Sequence, residues 1–167
     1  SYTHLADMLR IEGKHEEALI FAEKATIIKP GNVKANETML NIYANLKLFV
    51  EATKPACTLV GINSSDKTFK FPWRPDWINS TIDIYSNDFK LLSAVPSLSD
   101  RSRARIRVIL QKAAGIIESS KTIKNEKEKN NTILIYRLGA VRADPCHSAL
   151  VSLHEILLSH NDTDGAL

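Results

Sequence analysis

Asp144, Cys146, His147, His154 and His160 crowd the last part of the chain. By type they are the side chains best suited to hold a metal ion or to build a thiol nucleophile. Their spacing argues against both. On one helix, His147 and His154 lie about 10 Å apart along the axis, too far for short side chains to share an ion. Cys146 and His147 are sequence neighbours and point roughly 100° apart on a helix, so the imidazole does not reach the thiol. Ser64-Ser65-Asp66-Lys67 fits a Ser-x-x-Lys pattern, but the companion motifs of that acyl-transfer chemistry are missing. A phosphate loop, a Gly-rich dinucleotide turn and a Gly-x-Ser-x-Gly elbow are also absent. Triplets such as Asn79-Ser80-Thr81 matter only in a secreted chain. The sequence nominates no catalytic residue, no metal ligand and no cofactor.

Charge is the next candidate for chemistry. The formal net charge is +3, yet it is distributed unevenly. Residues 67–131 carry 13 Lys and Arg against 7 Asp and Glu, while the flanking segments are slightly acidic. Arg101, Arg103, Arg105 and Arg107 alternate within this basic middle and form a possible basic patch. On a helix they pair as Arg101/Arg105 and Arg103/Arg107, which spreads them over two faces rather than one stripe. Phosphate binding by such a run is conceivable, but a solvated helix start is the simpler expectation, so nucleic acid is an unlikely partner.

Composition bounds the remainder. With 167 residues, 44% hydrophobic and 25% charged, the chain is ordinary globular material. No apolar run reaches the roughly 18 residues of a membrane span. Aromatic residues are 7%, too sparse for a stacked platform that would bind single-stranded nucleic acid. Cys57 and Cys146 are the only cysteines, and no apolar leader is visible. Together these favour a reducing, cytoplasmic setting.

Helical periodicity organises the front of the chain. Leu5, Met8 and Leu9 form one block of helical spacing, and Ala18, Leu19, Ala22, Ala25 and Ile28 form a second. Gly13 lies in the turn between them, and Pro30-Gly31-Asn32 ends the second helix. A shift of 34 residues places Leu5 on Met39, Leu9 on Tyr43, Glu17-Ala18 on Glu51-Ala52 and Ala22 on Ala56. Tyr2, Leu5, Ala6, Leu9, Gly13, Ala18, Ala25 and Pro30 stand where a 34-residue helix–turn–helix repeat needs aromatic, small and turn residues. On these residues, positions 1–65 resemble the tetratricopeptide repeat family. Small Ala18 and Ala25 would let paired helices approach, with Leu5 and Leu9 filling the groove between them. The second unit departs from the pattern, with Lys47 at the turn glycine, Ser64 at the closing proline and Pro55 inside its second helix. A proline there costs about 3 kcal/mol in a helix interior, so a late start near Thr53 or a kink is expected.

Residues 66–100 read as a connector with short helices. It contains Pro72, Pro75, Trp73 and Trp77, the tryptophans serving as core plugs or partner anchors. Apolar residues from Ile78 to Val95 follow helical spacing, and Ser99 or Asp100 caps the next helix. Residues 101–167 read as a helical part packing on the repeats. Arg101–Ser119 is helical, Lys121–Asn131 is an exposed loop or frayed end, and Pro145 opens a last helix. Thr132–Leu138 is rich in β-branched residues and reads either as helix or as buried strand. The expected fold is therefore all-α, tetratricopeptide-like hairpins stacked on further helices, with an α+β arrangement of residues 67–160 as the alternative.

The resemblance implies a scaffold that binds a peptide or partner helix in the groove of its first helices. Groove-lining positions of the family fall on Thr3, Asp7, Arg10, Lys34, Glu37, Asn41 and Asn45, a polar set of mixed sign. Thr3 and Asp7 replace the lysine and asparagine of the chaperone-binding members, which disfavours an acidic chaperone tail as ligand. The alternative is the N-terminal arm of a larger transferase of glycosyl- or sulfotransferase type.

Overall fold

The computed structural model of the chain describes residues 1–62, 98–144 and 146–164. Seven helices run in order among these: α1 (Tyr2–Ile11), α2 (His15–Ile28), α3 (Val33–Asn45), α4 (Phe49–Leu59), α5 (Asp100–Ser119), α6 (Glu126–Ala143) and α7 (His147–Asp164). No strand occurs among the described residues, and the fold is all-α. Thr132–Leu138 lies within α6, which removes the strand alternative there. Its β-branched residues are outweighed by a continuous buried face, Ile133 to Tyr136 and Leu138 to Val141.

The 34-residue frame is visible in the turns. Gly13 donates its N–H to Arg10 O and Lys14 donates to Leu9 O at 2.9 Å; in the second hairpin Lys47 donates to Ala44 O and Leu48 to Tyr43 O at 2.9 Å. This bonding pattern closes a helix when one residue takes the left-handed conformation. Gly13 does so at φ 84° and Lys47 at φ 58°. Glycine meets that requirement without steric cost, whereas lysine carries a Cβ into it. Between the hairpins, Asn32 Oδ1 accepts from Ala35 N at 2.9 Å, and Asn36 Nδ2 donates to the Pro30 and Asn32 carbonyls at 2.8 Å.

Each helix packs on the next described one, α4 on α5 included; α1 also touches α3, and α4 touches α6. Two apolar clusters result. Ala6, Ala18, Ala22, Met39 and Ile42 form the smaller one among α1, α2 and α3. The larger runs from Leu40 through Ala52, Ala56, Leu110, Leu134 and Val141 to Leu153 and Ile156 of α7. Helix α4 begins at Phe49, so the late start expected near Thr53 does not occur. Pro55 sits inside it and is fully buried, where apolar contact offsets part of the lost N–H bond.

Three further expectations are corrected or sharpened. Leu5 is exposed rather than filling the groove, which Leu9 does in part. Ser99 is the cap of α5, its Oγ accepting from Ser102 N at 3.2 Å. Of Lys121–Asn131, residues 121–125 are non-helical, while Glu126 to Asn131 form the beginning of α6, capped by Asn125. Trp73, Trp77, Ser64, the helical spacing from Ile78 to Val95 and Pro145 lie outside the described residues.

Gly139 of α6 lies close against α5, where a Cβ would lie 2.9 Å from Leu110 Cδ1. Gly139→Leu is therefore expected to cost about 1–3 kcal/mol through overpacking, read as a lower urea midpoint with unchanged slope. Lys47→Gly relieves the left-handed strain and should stabilise the chain by about 1 kcal/mol in the same assay.

Candidate protein-binding groove

The expected groove residues fall on one face of each of two helices. Thr3, Asp7 and Arg10 follow helical spacing on α1, and Lys34, Glu37, Asn41 and Asn45 do so on α3. An open cleft of about 600 Å³ lies where the starts of α1 and α3 meet the end of α2. Thr3, Asp7 and Lys34 line it together with Tyr2, His4, Ile28 and Lys29. Arg10, Glu37, Asn41 and Asn45 are not part of its wall.

Several polar groups are held by the chain itself. Arg10 donates through Nε and Nη2 to Asp7 Oδ1 at 3.1 and 2.8 Å, an i,i+3 pair that fixes both side chains on α1. Asn41 accepts from the Arg105 guanidinium of α5 through its side-chain oxygen. The two residue sets singled out in the sequence thus meet at this contact. Arg103 pairs with Asp100, and Arg107 donates to Asp144 Oδ2 at 2.8 Å and to Gln111 Oε1 at 3.0 Å. Arg101 is exposed. Asp144 is therefore taken by Arg107, and among the described residues no three His, Cys, Asp or Glu side chains assemble as a metal set.

Two connections were missed in the sequence. Arg137 of α6 donates to Glu118 Oε2 at 2.9 Å and to the Ser152 carbonyl at 3.1 Å, joining α5, α6 and α7. Lys112 Nζ of α5 lies 4.8 Å from the Phe49 ring centroid at the start of α4, seating α5 on the second hairpin. A lone arginine interrupting the apolar run around Leu138 is the signal that pointed to the first. Nothing in local spacing signals the second.

No protein-family model, no curated protein and no solved structure matches the chain. No helix among the described residues is long and apolar enough to cross a membrane.

Neither cysteine is disulfide-bonded. Burial pushes the Cys57 thiol from about 9 up to about 12, which keeps it protonated and unreactive. Cys146 is half-buried, 3.4 Å from Ser148 Oγ. Ellman's reagent should titrate Cys146 in the native chain and Cys57 only on unfolding. The folded thiol holds its proton more tightly than the unfolded one, so its stabilisation is complete below about pH 9 and is lost towards about pH 12. Tyr43 and Tyr136, both raised chiefly by burial, act in the same direction. Cys57→Ser should flatten the alkaline fall in stability.

Proposed function

We propose that this chain is a helical-repeat scaffold of the tetratricopeptide kind, which binds a peptide segment or partner helix of another protein across α1 and α3. The observation that carries this reading is the cleft itself, because stacking the two hairpins puts Thr3 and Asp7 of α1 beside Lys34 of α3. Its wall combines the apolar Tyr2 and Ile28 with the cations Lys29 and Lys34 and the Asp7 carboxylate. That arrangement suits a short peptide carrying one apolar side chain between charged groups. Apolar contact supplies affinity, while the charges set orientation and partner choice. Two cysteines without a disulfide fit work in a reducing compartment such as the cytoplasm.

Peptides selected from a displayed library against the intact chain test the reading. Their affinity should fall at least roughly tenfold, more than 1.4 kcal/mol, in the double variant Asp7→Lys/Lys34→Glu. Its melting temperature should stay within a few degrees of the parent, since both side chains are at least partly exposed. Selected peptides that bind the double variant as tightly as the parent place the binding site elsewhere and end the groove assignment.

A further inference from the structure

Leu5 and Met8 of α1 have as counterparts, 34 residues later, Met39 and Ile42 of α3. Met39 and Ile42 are 7% and 0% exposed, clustered with Ala6, Ala18 and Ala22 of the first hairpin. Leu5 and Met8 are 39% and 47% exposed. The same two register positions are thus interior contacts in α3 and face water in α1. The apolar area continues onto α2, where the Phe21 ring stacks on Tyr2 with centroids 6.1 Å apart. Lys24 Nζ caps the two rings at 5.7 and 5.4 Å from their centroids. A contiguous apolar patch of this kind marks an interaction surface.

We propose that this face of α1 and α2 is an interface for a further helix–turn–helix unit of the same 34-residue kind. The second helix of that unit lays small residues over Leu5 and Met8, as α2 brings Ala18 and Ala22 to Met39 and Ile42. The argument is continuity with an interface the chain already contains: the α2–α3 contact, moved back one unit, needs large residues where Leu5 and Met8 stand. Repeat units bury their apolar faces on neighbours in this way. A second copy of this chain does not fit the requirement. Its Ala18 and Ala22 lie in the cluster with α3, and its Ala52 and Ala56 lie in the main core with α5. Face to face, two copies would set large residue against large residue. The proposal shares only Tyr2 with the cleft and rests on Leu5 and Met8 rather than on Thr3, Asp7 and Lys34, so its test is separate from that of the groove.

The test adds a duplicate of residues 1–34 ahead of Ser1, with Met8→Leu in the added unit. Met8 and Met39 are the only methionines of the natural chain. Peroxide oxidation followed by peptide mass spectrometry then reads Met8 against Met39 as the buried control. In the natural chain Met8 should oxidise roughly tenfold faster than Met39, and in the extended chain its rate should fall towards that of Met39. The melting temperature should rise as well. Ala22→Lys in the added unit should return Met8 to its fast rate, because it spoils the small-residue surface without touching α1. Fast oxidation of Met8 in the extended chain, or protection that survives Ala22→Lys, overturns the proposal. So does sedimentation of the natural chain as a dimer that Leu5→Glu dissociates, since a second copy then covers the face.

Discussion

Helix α3 has to satisfy two apolar surfaces at once, and the rest of the structure is arranged around that demand. Met39 and Ile42 close the small cluster with the first hairpin, while Leu40 belongs to the large core that continues to α7. Tyr43 packs against both clusters. Its phenol is raised by burial and then by the nearby carboxylates Glu23 and Glu51, one from each hairpin. A helix so placed fixes the angle between hairpins, and with it the cleft at the starts of α1 and α3. The side chains of α3 left over, Lys34, Glu37, Asn41 and Asn45, are the ones free to be polar.

How far the sequence shows this depends on the range of the interaction. The turns were legible because their chemistry is local: Gly13, Pro30 and Asn32 each act within a few residues. Lys47 shows that the frame outlasts its preferred residue, since the same bonds form around a lysine at φ 58°. Thr132–Leu138 was ambiguous because a short apolar run reads alike in a strand and in a buried helix. Burial on several sides decided it, and burial is not a local property. Leu5 was misjudged for the complementary reason. Its type and spacing say interior, yet it stands 39% exposed, and exposure is not a local property either.

The arginine run illustrates a second limit. Four like charges in seven residues read as a surface feature, because sequence shows the excess and not its partners. In the fold three of them meet Asp100, Asn41 and Asp144, which come from their own helix, from α3 and from the end of α6. Arg107 and Arg137 therefore connect helices more than they shape an external field. Partly exposed pairs of this kind contribute little stability, about 0–1 kcal/mol each, but they constrain how neighbouring helices meet.

The contact between Arg105 and Asn41 bears on the proposed binding face as well. Of the seven positions aligned with a groove, Asn41 is met by α5 and Asp7 holds Arg10 along α1. The row is thus divided. Towards Asn41 the third helical layer reaches the face and takes up its polar capacity, while towards Thr3 and Lys34 the face opens into the cleft. A partner lying along the whole row would have to displace a charged hydrogen bond made between helices of the chain, which costs more than displacing water. A partner confined to the open end meets no such penalty. Under the proposed reading, a short segment at the starts of α1 and α3 is therefore favoured over a long helix laid across all seven positions.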